Sequence, residues 1–142
     1  MASLRVVLAT RNPGKLREMQ RLLSAQPVRL LSLDDVGYRD ELEEPADTYV
    51  DNAGAKAATV MTATGLWALA DDSGIEIDAL HGWPGARSAR WIPTPASDED
   101  RLHGLVREVR QRTPDDRRAR YVCVLVLARP ESIPVVAHGE CR

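Results

Sequence analysis

Six short runs of apolar, often β-branched residues alternate with polar segments along the chain, a pattern typical of buried β-strands. The runs cover residues 4–9, 28–33, 66–70, 75–77, 119–128 and 135–138. The third run ends abruptly in Asp71-Asp72-Ser73-Gly74, where turn-forming residues predict a break before the strand resumes.

Three segments between these runs carry apolar residues at helical spacing. The first predicted helix covers residues 15–24. The second begins after Thr48, a helix-capping residue, and is stopped by Gly65, whereas the third begins after Ser97 and runs to about Arg112. Because strands alternate with helices, we expect an α/β layered fold.

Length and composition narrow the class of protein. A chain of 142 residues fits one domain, so we expect residues 1–142 to form a single domain. The net charge of −2 argues against a general nucleic-acid or membrane-surface binder, and no apolar run approaches the ~20 residues of a membrane span. Cys123 and Cys141 lack metal-ligand spacing, which favours reduced thiols in a cytoplasmic protein.

The basic residues are unevenly chosen. Of 19 lysines and arginines, only Lys15 and Lys56 are lysines. Because an ammonium group is a compact point charge and a guanidinium is a wide planar fork, a tight phosphate site can require lysine. We therefore expect both lysines to be functional.

The loop after the first strand, Thr10-Arg11-Asn12-Pro13-Gly14-Lys15, leads into a helix. Backbone N–H groups at a helix start favour anions, so this loop is a candidate phosphate cradle. It is not a Walker A motif, because Ala9 and Leu16 stand where that motif needs glycine and serine or threonine. A plain turn with an exposed lysine is the alternative.

Two adjacent carboxylates, Asp71 and Asp72, follow the third strand run. Their mutual repulsion is naturally compensated by Mg²⁺, which takes one or two carboxylates, waters and phosphate oxygens. Strand alternation points the two side chains to opposite faces, so we expect only one of them in a site. The alternative is a solvated turn in which Asp71 caps backbone amides.

A cluster of glutamates, Glu41, Glu43 and Glu44, precedes the second helix, on which Asn52 and Lys56 are spaced i, i+4. Both helix residues therefore project from one face. A solvated loop is the alternative for each glutamate taken singly.

Five segments in this order resemble the inosine/xanthosine triphosphate pyrophosphatases, which remove non-canonical purine nucleotides. They are LATRNPGKLRE, EEPADTYVDNAGAKA, ADDSGIEIDAL, GWPGARSAR and RRARYVCVLVLA. The resemblance spans essentially the whole chain. It implies an elongated central mixed β-sheet flanked by helices, a homodimer, and Mg²⁺-dependent hydrolysis of nucleoside triphosphates such as ITP, dITP and XTP to monophosphate and pyrophosphate.

By position, the resemblance implies that Asp72 is the general base and, with Glu44, binds Mg²⁺. Substrate contacts are expected from Thr10, Arg11, Asn12, Pro13, Gly14, Lys15, Asn52, Lys56 and Ser73. The family's later purine-pocket segment has no counterpart here, so we expect a domain that is C-terminally incomplete relative to the family.

Two other hypotheses stay open. In the first, the chain is a phosphomonoesterase that uses Asp71 or Asp72 as nucleophile. In the second, it is a non-catalytic nucleotide-binding remnant. A covalent aspartyl-phosphate would favour the first, and binding of Mg²⁺-triphosphate without turnover would favour the second.

Overall fold

The computed structural model describes residues 2–92, 96–112 and 115–142, which form five strands and three α-helices. The strands are β1 (Leu4–Leu8), β2 (Val28–Leu31), β3 (Trp67–Ile77), β4 (Ala119–Ala128) and β5 (Val135–Cys141). The helices are α1 (Pro13–Leu22), α2 (Tyr49–Thr64) and α3 (Asp98–Arg112). The strands make one mixed sheet in the order β2-β1-β3-β4-β5, so the predicted α/β class is confirmed.

Capping side chains set the helix boundaries. Helix α2 begins after Thr48, whose hydroxyl accepts a hydrogen bond from the backbone of Asp51, and ends at Gly65 in the left-handed conformation, as predicted. Helix α1 begins two residues earlier than predicted, because Asn12 is its N-cap and Pro13 occupies its first position.

The predicted break at Asp71-Asp72-Ser73-Gly74 is wrong. Strand β3 continues through these residues for 11 residues in all, and both aspartates are buried within it. Glycine at position 74 fits a strand here because a neighbouring backbone, at Gly85, approaches too closely to leave room for a Cβ atom. Gly74 therefore marks a close approach of two backbones and not a turn.

The chain divides into two compact units. The first comprises residues 1–71 and 125–137, and parallel pairing of β1 with β2 and with β3 builds its part of the sheet. Its buried residues include Val7 and Leu8 of β1 and the small side chains Ala53 and Ala57 of α2, whose size lets that helix pack closely.

The second unit comprises residues 72–124 and 138–142. Its core is a cluster of Ile77, Leu80 and Leu105, against which Trp83 and Trp91 pack. The two tryptophan rings contact each other edge to face, with 4.9 Å between their centroids. Ser97 and Asp100 bond each other's backbone at the start of α3, so the predicted cap is confirmed. In the described part of the chain, no helix has both the length and the apolar character that a membrane crossing requires.

Candidate active site

The loop between β1 and α1 is organised by its own polar side chains. The Asn12 Oδ1 atom accepts hydrogen bonds from the backbone N–H groups of Gly14, at 2.8 Å, and Lys15, at 3.3 Å. The Thr10 hydroxyl accepts a bond from the Asn12 N–H group at 3.1 Å. These bonds occupy the backbone donors on which the predicted phosphate cradle depends, so in this structure the helix N-terminus is capped by the loop's own side chains.

Lys15 reaches from this loop to β3. Its ammonium nitrogen lies 2.7 Å from the Asp71 carboxylate, whose side chain is 11% exposed. This ion pair compensates a carboxylate that would otherwise be costly to bury within a strand. Asp71 is consequently not the solvated, backbone-capping residue of the alternative interpretation.

Lys56 approaches the same aspartate from α2. Its ammonium nitrogen donates to the Asp71 backbone carbonyl at 2.6 Å and to the Glu44 carboxylate at 2.7 Å. The Lys56 side chain is 8% exposed, and its surroundings on α2 are mostly alanine. The only two lysines of the chain thus converge on one residue, Asp71, from two different helices.

The acidic segment before α2 is held by side chains from outside it. The guanidinium of Arg11 donates to the backbone carbonyls of Tyr38, at 3.0 Å, and Asp40, at 2.8 Å, and lies 5.7 Å from the centre of the Tyr38 ring. Asn52 bonds the backbone of Ala46. Both side chains, expected to contact substrate, therefore contact this segment.

These groups surround a cleft of about 380 Å³ in the first unit. Its polar and charged lining consists of Thr10, the basic residues Arg11, Lys15, Arg39 and Lys56, and the acidic residues Asp40, Glu41 and Glu44. The four cations fit the oxygens of an oligophosphate, and the three carboxylates fit a divalent cation bound together with it. A neighbouring cleft of about 300 Å³ is lined by Asn12 and Pro13, among others.

Asp72 and Ser73 begin the second unit. The Asp72 side chain is buried, and one of its carboxylate oxygens accepts from the Ser73 N–H group at 3.1 Å. The Tyr121 hydroxyl donates to the Ser73 hydroxyl at 2.8 Å. Asp72 and Ser73 directly follow Asp71 in the sequence.

Of the predicted site residues, the structure brings Thr10, Arg11, Lys15, Glu44 and Lys56 to one cleft. The sequence prediction missed Asp71 as the residue to which both lysines bind, and it missed Arg39 in the lining. Asp71 carried a signal, because a buried carboxylate needs a cation and the chain has two lysines. Arg39 carried none, since it is one arginine among many.

A metal would have few protein ligands here. Among the residues that the structure describes, no group of three or more histidine, cysteine, aspartate or glutamate side chains is arranged to hold a metal ion. One or two carboxylates are nevertheless enough for Mg²⁺ when phosphate oxygens and waters complete its shell. Glu44 and Asp72 offer the right chemical type of donor for such an ion.

Comparison with known proteins gives consistent matches over nearly the whole chain. A dITP/XTP pyrophosphatase of Symbiobacterium thermophilum is 42% identical over 140 residues, which are 99% of this chain and 69% of that protein. The corresponding protein of Thermus thermophilus is 47% identical over 131 residues, or 92% of this chain and 62% of that one. The matched part of this chain thus spans about two thirds of the length of these relatives.

Comparison with solved structures gives matches of the same kind. A HAM1 protein from Coxiella burnetii superposes with a TM-score of 0.87 at 36% identity, covering 96% of this chain and 70% of that one. A nucleoside-triphosphatase/dITP/XTP pyrophosphatase from Mycobacterium abscessus gives 0.80 at 38% identity, with coverages of 96% and 72%. The sequence pattern of the Ham1 family matches residues 6–142, so this chain belongs to the Ham1 family.

Proposed function

We propose that this chain hydrolyses non-canonical purine nucleoside triphosphates, such as ITP, dITP and XTP, to the monophosphate and pyrophosphate. The observation that carries the proposal is the convergence of Lys15 and Lys56 on Asp71 beside the β1–α1 loop. Membership of the Ham1 family and relatives named dITP/XTP pyrophosphatases support the choice of substrate.

The triphosphate is bound by the cationic groups of the cleft. Lys15 and Lys56, held beside Asp71 and Glu44, present compact ammonium charges to the phosphate oxygens. The Thr10 hydroxyl adds a neutral donor, and the positive end of the α1 dipole, capped by Asn12, adds a favourable field for the phosphates. Arg11 contributes by fixing the acidic segment along the cleft.

The carboxylates would hold Mg²⁺ together with the substrate. Glu44 and Asp72 are the proposed protein ligands. When bound, Mg²⁺ would polarise the phosphoryl group and neutralise the negative charge that develops there. This chain's own contribution is to supply two carboxylate oxygens and to keep two ammonium groups beside the same phosphates.

Asp72 is the proposed general base. It removes a proton from a water molecule, the water oxygen bonds to the α-phosphorus, and the anhydride bond between the α- and β-phosphates breaks. Pyrophosphate leaves with the bonding electron pair. Ser73, the next residue, is the proposed contact to the substrate.

Asp72→Asn tests the assignment of the base, because the amide has the carboxylate's shape but cannot accept the proton. We expect turnover of ITP to fall at least ~100-fold, the contribution typical of a general base. Asp98→Asn, the same change at the exposed start of α3, is the matched control and should retain wild-type turnover. Circular dichroism would verify that both variants are folded. Near-normal turnover by the folded Asp72→Asn variant would exclude Asp72 as the base.

A homodimer and a cytoplasmic location, both expected from the sequence, stay predictions. Light scattering of the chain as it elutes from a size-exclusion column would measure its mass directly. A mass of twice 15.7 kDa supports the dimer, and 15.7 kDa contradicts it.

A further inference from the structure

Asn52 is the most completely buried polar side chain of the first unit, with no exposed surface. It lies in the first turn of α2, and its carboxamide faces the preceding segment. The Oδ1 atom accepts from the N–H group of Ala46 at 2.9 Å, and the Nδ2 atom donates to the carbonyl of the same residue at 3.0 Å. One side chain therefore satisfies both backbone polar groups of one residue.

This pair of hydrogen bonds to Ala46 lies two residues from Glu44. The segment between them has no helix or strand of its own, so backbone hydrogen bonds within regular structure do not fix its path. Lys56, one turn further along α2 than Asn52, bonds the Glu44 carboxylate at 2.7 Å. The same face of α2 thus holds the segment at two points, once by its backbone and once by its side chain.

We propose that Asn52 is a positioning residue that fixes the Glu44 carboxylate at the cleft through the backbone of Ala46, rather than a contact to the triphosphate. The inference rests on the proposed function, in which Glu44 helps to hold Mg²⁺. Without the carboxamide, the segment can shift along α2, and Glu44 no longer stands where Lys56 and the phosphates meet. Groups that orient metal ligands typically change metal affinity or activity by 10–100-fold when they are removed.

A double-mutant cycle distinguishes positioning from substrate contact. Asn52→Ala should lower kcat/KM for ITP about tenfold and raise the Mg²⁺ concentration for half-maximal rate by a similar factor. In the Glu44→Gln background, the same change should lower kcat/KM less than about twofold, because residues that act through one another are not additive. A further full tenfold loss in that background would overturn the proposal.

Amide hydrogen exchange gives a readout that does not depend on turnover. In Asn52→Ala, the Ala46 amide should exchange at least about tenfold faster, whereas the amides of β1 keep their wild-type rates. Faster exchange throughout β1 as well would show a general structural role and would overturn the proposal.

The two proposals fail in different ways. If the wild-type chain does not hydrolyse ITP, the proposed function fails, and the same cycle is run on Mg²⁺-dependent binding of ITP by calorimetry. Asn52→Ala should then weaken that binding in the wild-type background and leave it unchanged in Glu44→Gln. Equal weakening in both backgrounds would overturn the role of Asn52.

Discussion

Replacing Lys56 by methionine removes one ammonium group from the interior of the first unit and keeps a side chain of similar length. The wild-type group donates to the Asp71 carbonyl and to the Glu44 carboxylate. Both acceptors stay in place in the variant. Its stability therefore reports how much these two hydrogen bonds contribute.

The magnitude follows from the exposure of each acceptor. The Asp71 carbonyl belongs to a buried residue of β3, and an acceptor left without its partner there costs about 1–3 kcal/mol. The Glu44 side chain is 29% exposed, so water replaces part of its lost interaction and the cost stays below about 1 kcal/mol. Methionine regains some free energy by burying its apolar atoms, which leaves a net loss of about 2 kcal/mol.

Thermal unfolding measures this loss. For a chain of this size, about 2 kcal/mol corresponds to a fall in Tm of ~6 °C. Ala58→Met, at an exposed position of the same helix, is the matched control and should stay within about 1–2 °C of the wild type. If Lys56→Met unfolds at the wild-type temperature, the two hydrogen bonds contribute nothing and the reasoning is refuted.

Three other changes test separate parts of the structure. Asn12→Ala removes the cap of α1 and should cost about 1 kcal/mol in urea unfolding; an unchanged midpoint would show that the cap is not stabilising. Gly74→Ala would place a Cβ atom against the Gly85 carbonyl oxygen, and we expect a loss of about 3 kcal/mol, whereas an unchanged Tm would contradict that close approach. The bidentate hydrogen bonds of Arg118 lower the pKa of Asp116 from 3.8 to about 2, so this pair stabilises the fold above about pH 4 and ceases to do so as the pH falls through about 2. Tm measured against pH should therefore fall more steeply across that window in the wild type than in Arg118→Gln, and parallel curves would exclude the effect.

The alternation of apolar runs predicted the strands well where apolar character alone decides. Strand β4 has the predicted limits, because every second residue from Val122 to Ala128 is buried. Strand β3 was predicted as two runs with a break between them, because its polar middle is stabilised by contacts that lie far away in the sequence. Lys15 is 56 residues from the carboxylate that it compensates, and no local pattern reveals such a partner.

The candidate site was predictable to the extent that residue type alone was informative. The scarcity of lysine singled out Lys15 and Lys56, and both of them line the cleft. Helical spacing correctly placed Asn52 and Lys56 on one face, but it could not show that Asn52 faces the backbone of Ala46. A polar residue that binds a loop and one that binds a ligand have the same sequence pattern.

The identity of the products formed from ITP and Mg²⁺ by this 142-residue chain tests the central claim most directly. Separation of the products by ion exchange should give inosine monophosphate and pyrophosphate in equal amounts. Inosine diphosphate and inorganic phosphate, or an unaltered substrate in the presence of folded chain, would contradict it.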